Sequence, residues 1–283
     1  MKWQGRRESE NVEDRRGVTG TQVAVGGGGL ALIVLIIGWL LGGDTQQLLS
    51  NFQQSSNRTA TTTNKQGTAK DDAMTSFLKV NLADNEQVWS SLFKQHNIPY
   101  QSPKLVLFEN VTQSPCGNAS SQTGPFYCPA DTKIYLDVAF FDELTQRLGA
   151  HGDFACAYVL SHEFAHHIQF LLGTTQKIQS MQQRTDKVSA NKLSVALELQ
   201  ADFYSGVWAH YNQIANQVLE EGDIEEALSA ANAVGDDRLM KRAQGYAVPD
   251  AFTHGTSEQR MYWFKLGFQT GDLNKGDTFK ELL

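Results

Sequence analysis

Val159 to Phe170 reads VLSHEFAHHIQF, and the reading of the whole chain turns on it. The run lies in FACAYVLSHEFAHHIQFLL, which is apolar around most of its circumference, so a helix here belongs in a domain core. Residues i and i+4 share one helix face, so His162 and His166 can offer imidazole nitrogens to one ion. Glu163 lies beside that face, where a carboxylate can take a proton from water held by a metal. A lone buried histidine is usually a satisfied core residue. Two histidines and a glutamate in one apolar helix need partners, because burying them unpaired costs several kcal/mol.

Zinc asks for a third protein ligand and leaves its fourth position open. Downstream, Ser194 to His210 reads SVALELQADFYSGVWAH. Glu198 and Asp202 again stand at i and i+4, on a face continued by the small residues Ser194, Ala201, Ser205 and Ala209. A small face allows close packing on the His162 helix, so Glu198 is the expected third ligand. Asp202, one turn on, is placed to accept the free N–H of a ligating histidine and fix its tautomer. Taken alone, the two carboxylates read equally well as a solvated helix face.

The rest of the chain frames this site. Its 283 residues suffice for one sizeable domain plus appendages, and a net charge of −7 gives no reason to expect nucleic acid as a partner. Val23 to Gly43, VAVGGGGLALIVLIIGWLLGG, is uncharged, and its 21 residues can cross a hydrocarbon core of about 30 Å. The alternative is a cleaved signal peptide. The long leading region with four acidic residues and the lack of a small-residue cleavage site favour a retained anchor. Lys2, Arg6, Arg7, Arg15 and Arg16 precede the span, and only Arg58 follows it over a similar length. A single-pass topology is therefore expected, with 1–22 cytoplasmic, 23–43 spanning the bilayer and the bulk outside. Residues 44–72, polar and poor in large apolar side chains, read as a flexible linker. The folded domain is expected over 73–283.

Cys116 and Cys128 flank a Gly/Pro/Ser-rich segment. In an oxidising compartment a bridge between them would staple that loop by about 3 kcal/mol. Cys156, set between alanines in a helical pattern, reads as a small buried residue.

Helix-like spacing covers about 73–95. LVLFENV (105–111) and KIYLDVA (133–139) read as strands, the latter either as an edge strand against which an extended peptide could pair or as an ordinary sheet strand. Asp153 is the expected N-cap of the metal helix and Gly173 its stop. Further helices are expected over 187–212, 224–233 and 250–268. This is an α+β pattern, mostly helical with a small sheet.

HEFAH followed by ELQAD resembles the H-E-x-x-H…E-x-x-x-D pattern of gluzincin metallopeptidases such as thermolysin and the CAAX prenyl endopeptidases. More closely, the chain resembles the bacterial neutral zinc metallopeptidase family in MKWQGRRESENVEDRRG, CGNASSQTGPFYCPAD, IYLD, GDFACAYVLSHEFAHHIQ and ALELQADFYSGVWAH. The resemblance spans nearly all of the chain except the linker. It implies a zincin-like domain with Zn2+ on His162, His166 and Glu198, and Glu163 as the catalytic carboxylate. THGTSEQRMYWF (253–264) spaces His254 and Arg260 as the CAAX endopeptidases space their His-Pro-x4-Arg segment, with Gly255 in place of the proline. Either His254 or Arg260 is expected to stabilise the oxyanion of a tetrahedral intermediate. The alternative is a helix cap at Thr253 or Ser257 with Arg260 in a structural ion pair. His167, about 100° round the helix from His166, should not reach the same ion.

The function expected is a membrane-anchored zinc endopeptidase acting on protein or peptide substrates. The competing readings are a zinc-bound envelope scaffold without turnover, a metal-free helical domain with a decayed motif, and a latent enzyme whose linker lets a segment occupy the groove.

Overall fold

A computed structural model describes residues 1–16, 69–120 and 123–282. In chain order the elements are β1 (Val12–Asp14), α1 (Ala69–Gln95), β2 (Lys104–Phe108), β3 (Val111–Ser114), β4 (Gly117–Ser120), β5 (Phe126–Cys128) and β6 (Lys133–Asp137). They continue with α2 (Ala139–Gln146), α3 (Asp153–Leu171), α4 (Thr174–Gln182), α5 (Lys187–Asn216), α6 (Asp223–Ala233), α7 (Asp236–Gln244), α8 (Ser257–Thr270) and α9 (Thr278–Leu282). Two short 3-10 turns, Pro249–Ala251 and Leu273–Lys275, flank α8.

Four strands form a mixed sheet in the order β1-β2-β6-β5, with β1, β2 and β6 parallel and β5 antiparallel to β6. Successive strand residues face opposite sides, and the sequence uses both. Leu105, Leu107, Ile134 and Leu136 enter the main core with the helices, while Val106, Phe108, Tyr135 and Cys128 build a small second core behind. Both faces of β2 and β6 are covered, which is why these strands read as nearly continuous apolar runs. Of the two readings of KIYLDVA, the edge strand is corrected and the ordinary sheet strand is found: β6 lies between β2 and β5, and β1 and β5 are the edges. The Cys116–Cys128 disulfide ties β5 to the separate β3–β4 hairpin.

Helix α3 runs through the core, with nearly every residue from Phe154 to Gln169 buried. Its cap differs from expectation. Gly152 is the N-cap and Asp153 lies in the first turn, and the Phe154 N–H donates to Glu226 from α6. A neighbouring helix thus supplies the acceptor that the chain was expected to supply locally. Gly173 follows the C-cap Leu172 in the left-handed conformation, at φ 76°, and stops the helix as its lack of Cβ predicts. Where α8 crosses α5, glycines face each other's backbone. A Cβ on Gly206 would meet the Phe264 carbonyl at 2.0 Å, and one on Gly267 would meet the Phe203 carbonyl at 2.1 Å. This close crossing seats Arg260 of α8 over Asp202 of α5.

The membrane topology is corrected. Residues 1–16 and 67–283 form one compact unit. β1 pairs in register with β2, Val12 opposite Leu105 and Asp14 opposite Leu107. Arg6 grips Asp84 of α1 through both terminal nitrogens, at 2.5 and 2.7 Å, and Ser9 and Asn11 bond Glu86. A single crossing between these segments would set them on opposite sides of a bilayer, where they could not share a sheet. Among the described residues no helix is long and apolar enough to cross a membrane. The expected span 23–43 and nearly all of the linker 44–72 lie outside the described residues, although 69–72 already belong to α1. Neither a single-pass anchor nor a bilayer contact is supported.

Candidate metal centre

The i, i+4 spacing places His162 and His166 on one side of α3 with ring centroids 4.9 Å apart. Helix α5 brings Glu198 against them. Its carboxylate oxygens lie 3.0 Å from His162 Nε2 and 3.4 Å from His166 Nε2. The three ligand atoms all fall within 4.8 Å of one another. Two atoms each about 2.05 Å from a tetrahedral zinc stand about 3.3 Å apart, so these separations suit one ion held by N, N and O donors. Two imidazoles and one carboxylate with open positions fit zinc, and the same donor set also fits Fe(II), so the donors alone do not select the metal.

A buried polar layer orients both histidines. Asp202, fully buried, accepts His162 Nδ1–H at 2.8 Å, the Tyr158 hydroxyl at 2.5 Å, and Arg260 Nε and Nη2 at 2.8 and 2.9 Å. Burial works to raise the Asp202 pKa, but Arg260 and His162 outweigh it and hold the carboxyl below its ordinary range. With Nδ1 donating to this anion, His162 presents the lone pair of Nε2 to the ion. His166 is set the same way by a neutral group. Its Nδ1–H donates to Gln169 Oε1 at 2.9 Å, and Gln169 Nε2 donates to the Leu197 carbonyl at 2.7 Å and to Gln200 Oε1 at 3.2 Å. Gln169 therefore links the ligand on α3 to the residue preceding the ligand on α5. Sequence reasoning missed it, although it stands at i+3 from His166 and so on a neighbouring helix position.

Glu163 is buried beside the trio, and burial raises its pKa, against the opposing pull of the two histidines. It lines a cleft of about 520 Å3 together with His162, His166, Glu198, His254 and Arg260. One wall of that cleft is the edge strand β5 with the Gly124–Pro125 turn before it. His167 points elsewhere. Its Nε2–H donates to the Gln101 carbonyl at 2.7 Å, leaving Nδ1 to accept the Tyr127 hydroxyl at 2.9 Å. Burial lowers its pKa, so a neutral ring ties α3 to β5.

The two residues of the 253–264 segment part company. Arg260, 4% exposed, spends Nε and Nη2 on Asp202 and turns Nη1 to the Val234 carbonyl at 3.5 Å. His254 reaches the cleft, and its Nδ1 lies 3.2 Å from Asp236 Oδ1. The other Asp236 oxygen accepts the backbone N–H groups of Thr253, His254 and Gly255 at 2.7, 2.6 and 3.2 Å. This turn sets Gly255 at φ +91°. Proline, locked near −65°, cannot adopt that angle, which accounts for glycine where the CAAX endopeptidase pattern has proline. The hydrogen bond to Asp236 raises the His254 pKa against the opposing effect of burial. Asp236 was invisible in the sequence, being 18 residues away at the start of another helix. The cap of α8 is Thr256, in a capping box with Gln259, and not Thr253 or Ser257.

Paired histidines one helical turn apart, a glutamate between them and a carboxylate brought up beside both rings by the next long helix match the class of HExxH zinc sites, here on a mainly helical α+β domain. Within that class the chain belongs to the family described as "Putative neutral zinc metallopeptidase", whose profile matches residues 1–279. Zinc is accordingly its cofactor. Among curated proteins the chain is similar to "Uncharacterized protein YpfJ" of Escherichia coli (strain K12), 46% identical over 284 residues and 99% of each chain. It is also similar to "Uncharacterized protein Rv2575" of Mycobacterium tuberculosis (strain ATCC 25618 / H37Rv), 42% identical over 204 residues, covering 69% of this chain and 67% of that one. No solved structure matches.

Proposed function

We propose that the protein is a zinc endopeptidase whose zinc is held by His162, His166 and Glu198, with Glu163 as general base. The observation that carries this reading is the position of Glu163, beside the three ligands and lining the cleft that opens onto them. A scaffold zinc needs no such access, and the cleft favours turnover over that alternative.

Bound zinc supplies Lewis acidity to the scissile carbonyl and acidifies water at its open position. The protein groups do the rest. The burial that raises the Glu163 pKa makes its carboxylate a stronger base than an exposed one, suited to accept the proton of the attacking water and pass it to the leaving amine. His254, whose pKa the hydrogen bond to Asp236 raises, donates Nε2–H to the developing oxyanion when protonated. Arg260 acts through Asp202 as a positioning residue for His162. The outer edge of β5, which pairs with no further strand among the described residues, takes the substrate backbone as an added strand.

Glu163→Gln keeps size and shape but cannot accept the proton. In the zinc-loaded full chain it should retain one zinc per molecule and lose peptide hydrolysis by at least about a hundredfold. Undiminished cleavage at full zinc content would remove Glu163 from the reaction.

A further inference from the structure

The metal cleft does not end at the ligands. A second cavity of about 470 Å3 shares Gly124, Phe140, Val234 and Leu239 with it, so the two form one continuous groove. Past these residues the lining changes character. Phe140, Val234 and Leu239 give an apolar floor, on which Leu239 is 37% exposed. Beyond them stand Glu143 of α2, Arg147 at its C-cap and Arg242 of α7.

The charge balance of this far arm runs against that of the molecule. The chain carries a net −7, and the ligand end of the groove carries Glu163 and Glu198. The arm has two arginines to one glutamate. Glu143 pairs with Arg147, four residues on at the end of α2. Arg242 is aimed by neutral groups: Nη1 donates to the Arg147 carbonyl at 3.3 Å and Nη2 to the Leu148 carbonyl at 3.4 Å. These contacts orient the guanidinium without cancelling its charge, and its remaining N–H donors suit a carboxylate fork. An extended peptide advances about 3.3 Å per residue, so a chain cut at the metal would carry residues several places away onto this floor.

We propose that this arm is a substrate subsite for a peptide carboxylate, reached across an apolar side chain lying on Phe140, Val234 and Leu239, with Arg242 as the principal contact and Arg147 in support. The inference rests on the endopeptidase reading for its substrate class. The carboxylate can belong to an acidic side chain or to a free chain end, and the test separates them.

The probe is a set of dye-labelled leucine- and alanine-based nonapeptides carrying Glu, Gln or Lys at each position in turn, each with a free or an amidated C-terminus. Binding to the zinc-loaded full-length Glu163→Gln protein is read by fluorescence anisotropy, so no turnover is required. An exposed arginine–carboxylate contact is worth a factor of up to about five. Glu should therefore bind about fivefold more tightly than Gln at one position, or the free chain end about fivefold more tightly than the amide if that is the source. Adding Arg242→Gln should abolish the preference, and Arg242→Glu should transfer it to Lys. Both arginines are exposed, and Arg147→Gln, which should halve the preference, is a second variant independent of the Arg242 contacts. Absence of any charge preference, absence of binding, or a preference that survives Arg242→Glu overturns the subsite. Wild-type protein that leaves every peptide uncut, beside an arginine-dependent preference in the Glu163→Gln form, would instead refute the peptidase reading and keep the subsite.

Discussion

Removing the Asp202 carboxylate tests the centre most directly. Asp202→Ala deletes the acceptor shared by His162, Tyr158 and two of the three Arg260 nitrogens. Arg260 is 4% exposed, so the substitution leaves a buried guanidinium without its counterion. Breaking such a pair from one side costs about 3–5 kcal/mol, against a total stability of about 5–15 kcal/mol for a domain. At about 2–4 °C per kcal/mol for a domain of this size, the metal-free protein should melt roughly 6–20 °C lower. Zinc binding should weaken as well, by about 10–100-fold, since His162 loses the anion that fixes its tautomer. Arg260→Met in the same protein removes the stranded charge, and the double variant should regain most of the lost stability while zinc affinity stays low. Melting by calorimetry on the metal-free forms and zinc titration against a competing chelator provide the two readings. If Asp202→Ala melted within 2 °C of wild type, or the double variant were no more stable than the single, the argument for a buried counterion would fail.

Gln169→Ala should also weaken zinc binding by about 10–100-fold, with Gln169→Glu recovering part of the loss because it restores the acceptor for His166; equal affinity in all three forms would count against the link. Reducing the Cys116–Cys128 bridge, or replacing both cysteines by serine, should cost about 3 kcal/mol and raise KM more than it lowers kcat, because β5 is the wall it anchors; unchanged KM would separate the disulfide from substrate binding. Hydrogen bonds from Lys133 and Arg15 depress the Glu13 pKa to about 2, so its contribution to docking β1 is complete above the ordinary pKa of 4.5 and is lost as pH falls through about 2. Hydrogen-exchange protection at 12–14 and 104–108, taken relative to the intrinsic rate at each pH, should therefore fall as acid is added below pH 4.5 in wild type, and much less in Glu13→Gln; protection independent of both would contradict the pairing.

What could be read from the sequence divides along the range of the interactions. The 3.6-residue period put His162, Glu163 and His166 on one helix, and Glu198 and Asp202 on another, because i, i+4 geometry is local. The same period marked α3 as buried and α1, α5 and α6 as helices. Strand β5 is three residues long and carries no periodic signal. Helices α2, α4 and α7 are short, and their residues are held by contacts with distant parts of the chain. The leading residues were assigned from charge counts around an apolar run, a rule that sees no pairing partner. β1 is defined by hydrogen bonds to β2, some ninety residues on.

The sequence by itself determined the family and its metal, and the spacing of the candidate ligands along two helices. Only the tertiary structure decided which residue supports each ligand, which strand forms the open edge of the cleft, and that residues 1–16 fold with the domain that follows. Helical spacing is set by backbone geometry within one turn. The pairing of Asp202 with Arg260, His166 with Gln169 and His254 with Asp236 depends on where separate elements come to rest, and that is fixed by packing as close as the Gly206–Gly267 crossing.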